Sequence, residues 1–107
     1  MKTMEKNIAR IDYLNRRGTV VSGRSYEDIE EFASDLNDEL ACGVSLRVTF
    51  VDDNGEIVSK NLMNDYDCLP QVDLSHISGN FAKAFERNLS FLAKAYSITD
   101  EPTEVRL

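Results

Sequence analysis

The fold prediction starts from residues 81–96, whose sequence is FAKAFERNLSFLAKAY. On a helix of about 100° per residue, the apolar side chains of this stretch cover roughly half of the circumference. They are Phe81, Ala84, Phe85, Leu89, Phe91, Leu92, Ala95 and Tyr96. A surface helix buries a stripe of about 100°, so the wider arc predicts contacts with a sheet on one side and a helix on the other. We therefore expect a long C-terminal helix, about residues 78–97, as the core element.

The 107-residue chain has the length of one domain. Its hydrophobic content of 42% and charged content of 29% are typical of a globular protein. Charges recur every few positions in residues 1–17, which argues against a signal peptide or a membrane span there, and we expect a cytoplasmic protein. We predict a single α+β domain over residues 1–97, followed by a flexible C-terminal tail over residues 98–107.

Apolar residues recur at helical spacing from Met4 to Leu14, ahead of Gly18. This pattern predicts a first helix over about residues 3–16, with the glycine as its stop. The β-branched stretch from Thr19 to Val21 fits either a short edge strand or an extended connector.

The second predicted helix runs from Tyr26 to Ala41. The hydroxyl of Ser25 can cap its first turn, and Asp28 follows three residues later as the acid of a capping box. Gly43 is expected to end the helix because glycine adopts the left-handed cap conformation at low cost.

Residues 45–62 form the clearest β-hairpin of the sequence, because apolar and polar side chains alternate on both sides of a turn signal. A two-residue turn at Asn54-Gly55 would place Phe50 opposite a serine. A type I turn with Gly55 as the bulge residue instead pairs Phe50 with Val58, and we favour it because it joins the apolar side chains on one face.

The predicted fold class is therefore α+β, with two to three helices packed on a small antiparallel sheet built on the hairpin of residues 45–62. An isolated two-stranded sheet is marginally stable. A third strand must therefore come from Thr19–Val21, from the tail or from a second copy of the chain.

No motif in the sequence indicates catalysis, and we do not expect an enzyme, a metal site or a cofactor. His76 is the one histidine, and no serine or cysteine stands at a recognisable nucleophile turn. Cys42 and Cys68 are expected to be reduced and buried, and they lack the close spacing typical of a zinc site. The acids of residues 65–73 do not follow a calcium-loop pattern.

The acidic residues are concentrated in the middle of the chain. The net charge is −7, and residues 25–73 contain thirteen acids against two bases. Seven of those acids lie between residues 27 and 39 with no base among them. From these we predict a partner-binding surface made of Glu27, Glu30, Glu31, Asp35, Asp38 and Glu39.

Helix stability alone does not favour this composition. Acids one turn apart, such as Glu31 and Asp35, repel by about 0.2 to 0.5 kcal/mol per pair. Asp38 and Glu39 occupy the last turn of the predicted helix, where the sign of the helix dipole is unfavourable for acids. A solvated helix face is the competing interpretation.

An acidic surface attracts a basic partner, so we expect this chain to be a small acidic binding or inhibitor protein that engages a basic protein surface. The partner is expected to offer either a positively charged groove that normally holds nucleic acid or another Arg- and Lys-rich protein surface. In charge and size the chain is similar to phage anti-restriction and anti-CRISPR proteins that imitate nucleic acid. The net charge opposes direct binding to nucleic acid.

The alternative uses the basic N-terminal segment, residues 2–24, in which six bases stand against two acids. Such a segment is typical of a regulatory nucleic-acid-binding protein or a dimeric adaptor. It can equally pair with the acidic helix of its own chain or of a second copy, and the latter arrangement would make a homodimer.

Overall fold

The computed structural model describes residues 8–52, 54–64, 74 and 81–100, which form an antiparallel sheet and two helices. The five strands lie in the order β2-β1-β3-β4-β5. Their bounds are β1 Ala9–Leu14, β2 Val20–Tyr26, β3 Leu46–Val51, β4 Ile57–Asn64 and β5 Tyr96–Asp100; the helices are α1 Ile29–Ala41 and α2 Phe81–Leu92.

Both helices pack on the same face of the sheet. Ala9 is paired with Tyr26 on one side and with Phe50 on the other, so these three side chains share a face. Tyr26 contacts Phe32 of α1 at 5.5 Å between ring centroids. Phe50 contacts Phe81 of α2 at 5.1 Å, edge to face. Apolar side chains from both layers therefore form one core.

The predicted first helix over residues 3–16 is wrong. Residues 9–14 form strand β1, which pairs with β2 and β3 on its two sides, and residues 1–7 lie outside the described residues. Ala9 and Ile11 are fully buried, while Arg10 is on the opposite face and partly exposed. Pairing with strands on both sides determines the conformation here, and these long-range contacts override the local helical spacing.

The long C-terminal helix over residues 78–97 is also wrong. Helix α2 ends at Leu92, and residues 96–100 form strand β5, paired with β4. The hydroxyl of Tyr96 lies 3.2 Å from the carbonyl oxygen of Leu40 and 3.1 Å from that of Val44. Tyr96 is therefore a core residue of strand β5 and not of a helix. Residues 98–100 of the expected tail lie in β5, and 101–107 are outside the described residues.

The sheet is larger than the hairpin-based one that the sequence predicts. The hairpin itself is confirmed: Phe50 pairs with Val58 and Leu46 pairs with Leu62. Gly55 has a φ of 80°, and its N–H donates to the carbonyl of Asp52 at 3.1 Å. The remaining three strands come from residues 9–14, 20–26 and 96–100, so the predicted two to three helices on a small hairpin sheet are replaced by two helices on five strands.

Helix α1 starts later than predicted. Its N-cap is Asp28, whose Oδ1 accepts the N–H of Glu30 at 2.9 Å, whereas Ser25 lies in strand β2. Gly43 follows the helix with a φ of 74°, which confirms the predicted stop. The helix therefore begins at Ile29, and Glu27 lies ahead of its cap.

Candidate functional site

Helix α1 buries one face and presents the other to solvent. Phe32, Ala33, Leu36 and Leu40 are each fully buried against the sheet. Three acids follow one flank of the helix at four-residue intervals, and we call Glu31, Asp35 and Glu39 the acidic ridge. Successive members are separated by about 6 Å along the helix axis.

The other three predicted residues lie apart from the ridge. Glu30 and Asp38 are exposed on α1, and no hydrogen bond or ion pair joins their carboxylates to another described side chain. Glu27 is exposed in the connection between β2 and α1. The predicted surface is therefore divided into a ridge beside the sheet and two outward-facing carboxylates, with Glu27 at the helix start.

Arg24 of strand β2 pairs with two members of the acidic ridge. Its Nη2 lies 2.7 Å from Oε2 of Glu31, and its Nη1 lies 3.1 Å from Oδ2 of Asp35. The guanidinium also lies over the Tyr26 ring, at 4.8 Å from the centroid. Of the two pairings considered for the basic segment, the one within the chain is thus present for Arg24, which pairs with the acidic helix of its own chain.

Two tyrosines of the sheet donate hydrogen bonds to the ridge. The Tyr13 hydroxyl donates to Oε2 of Glu39 at 2.8 Å, and the Tyr26 hydroxyl donates to Oδ2 of Asp35 at 2.8 Å. Burial, and next the hydrogen bond to Glu39, raise the pKa of Tyr13 to about 12. Burial and the Asp35 contact likewise raise the pKa of Tyr26. Both phenols therefore remain neutral donors at physiological pH.

The contacts hold the ridge in place but compensate only one of its three negative charges. The ridge has three carboxylates, and Arg24 supplies one compensating charge. The tyrosines are neutral and supply none. Two negative charges therefore remain on the ridge, and the carboxylates of Glu30 and Asp38 add to them.

The basic residues of the N-terminal segment are not brought together in the described structure. Arg10 lies on the face of the sheet opposite the helices, and Arg24 lies on the helix side. Arg16 and Arg17 are exposed in the turn between β1 and β2, and both lysines of the segment lie outside the described residues.

Sequence reasoning missed a polar cluster on the face of the sheet opposite the helices. Arg10 Nε lies 2.7 Å from Oδ1 of Asp12, and Arg10 Nη1 donates to Oγ of Ser25 at 2.8 Å. The Asp12 side chain is 7% exposed. Gly23, opposite Asp12 in β2, leaves the space that this pair occupies. The alternation of Arg10 and Asp12 with apolar residues is the signal that predicts such a face.

A cleft also lies between the β3–β4 hairpin and helix α2, with a volume of about 210 Å³. Its apolar floor includes Phe50 and Phe85, and charged side chains surround it. They are Asp52, Lys60, Lys83 and Glu86. Lys60 is paired with Asp100 of β5.

The remaining sequence candidates are mostly outside the described residues, including Cys68, His76 and the acids of residues 65–73. Cys42 is a free thiol but is exposed, so the expected burial is wrong for this residue. Within the ranges that the structure describes, no three histidine, cysteine or acidic side chains cluster as metal ligands would, and no helix has the length and apolar character needed to cross a membrane.

Comparisons of the chain with protein-family models, with curated proteins and with solved structures find no significant match.

Proposed function

We propose that this chain is a small acidic binding protein that engages a basic protein surface through helix α1 and acts there as a nucleic-acid mimic. The supporting observation is the charge balance of the helix. Its acidic ridge keeps two negative charges after pairing with Arg24, and Glu30 and Asp38 face solvent beside it. Such a surface attracts Lys- and Arg-rich partners and raises their association rate.

The tyrosine contacts favour binding because they fix carboxylates before a partner arrives. A free glutamate side chain loses rotamer freedom when it is immobilised at an interface, at a cost of about 0.5 to 1.5 kcal/mol. Glu39 is already held by Tyr13, and Asp35 by Tyr26. These two side chains are therefore ordered when the protein folds, and binding a partner does not have to order them again.

The spacing of the acids supports the proposal that helix α1 mimics a nucleic acid. Five acidic residues between positions 30 and 39 are spread over about 14 Å of helix axis, or about one per 3 Å. One strand of B-DNA carries a phosphate about every 3.4 Å. A basic groove that follows a phosphate chain therefore meets a similar density of charge on α1.

The test compares the wild-type protein with two charge-reversed variants as immobilised baits in lysate of the native host. One variant carries Glu30→Lys and Asp38→Lys. The matched control carries Glu56→Lys and Glu86→Lys, which change the net charge equally at exposed positions outside α1. The proposal predicts that a nucleic-acid-binding protein is captured by the wild type and the control and lost by the α1 variant. Capture of the same protein by all three baits would contradict it.

A second experiment measures whether the chain itself binds labelled duplex DNA at physiological salt. Binding would favour the alternative function. A nucleic-acid mimic repels DNA, so no binding is expected from a chain with this acidic helix. Binding that is lost when Arg16 and Arg17 are replaced by glutamine would instead favour a nucleic-acid-binding protein.

A further inference from the structure

Strand β2 is an edge strand whose outer side is open in the described structure. It pairs with β1 on one side, and no strand among residues 8–52, 54–64 and 81–100 pairs with its other side. The strand is seven residues long, and its first five residues are exposed. Val21 has 63% of its surface accessible to solvent.

An open edge of this length exposes backbone N–H and C=O groups that can bind another strand. Edge strands are commonly protected by proline, by charged side chains, by a β-bulge, by shortness or by a covering element. Strand β2 contains no proline, has Arg24 as its one charged residue and is one of the two longest strands described. A register shift between Tyr13 and Leu14 makes Val21 an extra residue in β2, but the pairing with β1 is regular from Ser22 to Tyr26. Within the described structure, the outer edge of this regular part is therefore open to an extended segment.

The charge beside this edge determines which segment fits. Arg24 and Tyr26 of β2 point to the helix side of the sheet, where they contact the acidic ridge. Glu31 and Asp35 therefore lie above β2, and their side chains are 51% and 34% exposed. A strand added beside β2 directs alternate side chains to the same side. Lys or Arg at those positions would meet Glu31 and Asp35, which together keep one net negative charge after pairing with Arg24.

We infer that the outer edge of β2 binds an extended strand of the basic partner, with Lys or Arg at alternate positions directed to Glu31 and Asp35. This inference rests on the proposed function and specifies how the partner is held. Backbone pairing with β2 supplies affinity, and the acidic ridge selects the basic sequence.

Charge also argues against a second copy of the chain on this edge. Antiparallel pairing of two β2 strands about a two-fold axis would extend the sheet and put both α1 helices on the same face. Two ridges, each with two uncompensated negative charges, would then flank the new seam. Like charges brought together across an interface disfavour the pairing.

The inference is tested with fluorescein-labelled synthetic peptides and the full chain. The probe is the basic strand-forming peptide TKVKVKT. One control, TEVEVET, reverses its charge, and a second, TKPKPKT, keeps the charge but cannot pair as a regular strand because proline lacks an N–H. Anisotropy gives the affinity, and amide hydrogen exchange of residues 20–26 reports pairing with β2.

We expect TKVKVKT to bind, to slow exchange of β2 amides, and to bind about tenfold more tightly than TKPKPKT. The double variant Glu31→Gln/Asp35→Asn should weaken binding about tenfold, whereas the matched variant Glu56→Gln/Glu86→Gln should change it by about twofold or less. The matched variant removes the same charge from exposed positions outside α1.

Three results would overturn the inference. Equal binding of TKVKVKT and TKPKPKT without protection of β2 would reject edge pairing and leave the acidic surface of the proposed function intact. Absence of binding by any basic peptide would reject the docking of a basic strand, while the lysate comparison still decides the proposed function separately. Concentration-dependent dimerisation with protection of β2 amides would assign the edge to a second copy.

Discussion

Tyr26 and Asp35 join strand β2 to helix α1 through a 2.8 Å hydrogen bond from the phenol to Oδ2 of the carboxylate. The Tyr26 ring is buried and contacts Phe32 of the core, whereas the Asp35 side chain is 34% exposed and also pairs with Arg24. The same acid therefore contributes to folding and to the charged surface.

Replacing Tyr26 with phenylalanine should lower the free energy of unfolding by about 1 to 2 kcal/mol. The substitution removes a hydrogen bond to a charged acceptor but keeps the ring contact with Phe32. Urea unfolding followed by circular dichroism measures the change. An unchanged midpoint would show that this hydrogen bond does not stabilise the fold.

Stability should fall as the pH rises from about 10 to about 12. Burial raises the pKa of Tyr13 to about 12 and that of Tyr96 to about 12, from an ordinary value of 10.0. In this range the unfolded state has already released its phenolic protons while the folded state retains them. The unfolded state therefore binds fewer protons, and the free energy of unfolding decreases with pH. Below pH about 10 this contribution is fully present.

Urea midpoints measured between pH 8 and 11.5 test this pH dependence, with Tyr13→Phe as the comparison. The variant lacks one of the titrating groups, so its midpoint should decrease less steeply above pH 10. Identical slopes for both proteins would refute the assignment of the effect to this tyrosine.

Gly23→Ala should destabilise the protein by about 1 to 2 kcal/mol through a steric effect. A Cβ at this position would collide with Oδ1 of Asp12 and Nη2 of Arg10. Asp12 is buried and paired with Arg10, so it cannot move without breaking that pair. In an Asp12→Ala background the same glycine substitution should cost much less, since the nearer colliding atom is absent and Arg10 is no longer held by Asp12. Equal costs in both backgrounds would contradict this explanation.

Truncation to alanine should destabilise the protein strongly at one phenylalanine of helix α2 and hardly at another. Phe85 is fully buried and contacts Phe50 at 5.4 Å between centroids, so Phe85→Ala should cost about 3 to 5 kcal/mol. Phe91 is 50% exposed, so Phe91→Ala should change stability by about 0.5 kcal/mol or less. Chemical unfolding of both variants measures this contrast. A large loss for Phe91→Ala would favour the wider buried arc that the sequence suggests.

The two hairpin turns in the described part of the chain have the same hydrogen bonds, yet sequence reasoning found one of them. Asp52 Oδ1 accepts the N–H groups of Asn54 and Glu56, and Gly55 has a φ of 80°. Asn15 Oδ1 accepts the N–H groups of Arg17 and Thr19, and Gly18 has a φ of 79°. An Asx residue three positions before a glycine is thus the signal common to both turns.

The first turn was missed because its flanking residues also fit a helix. Ile8, Ile11 and Leu14 are three apart, so their spacing outweighed the alternation of Ala9, Ile11 and Tyr13. Strand β1 lies between β2 and β3, and its stability comes from pairing with residues distant in sequence. Local spacing does not report such contacts.

The candidate site was predictable in composition but not in its contacts. The acids of α1 and their position opposite the buried stripe follow from helical periodicity. Their pairing with Arg24, Tyr26 and Tyr13 depends on strands β1 and β2, whereas the local sequence pattern predicts a helix in place of β1 and at most a short strand over Thr19–Val21. The open edge of β2 could not be identified for the same reason.

The most direct test of the central claim is the dissociation constant of the captured basic partner, purified and titrated with the wild-type protein and both charge-reversed variants. We predict that Glu30→Lys/Asp38→Lys weakens binding by at least about tenfold, because attraction is replaced by repulsion at two exposed positions. The control Glu56→Lys/Glu86→Lys should remain within about threefold of wild type, the change expected from net charge alone. Equal dissociation constants for the two variants would contradict a binding surface on helix α1.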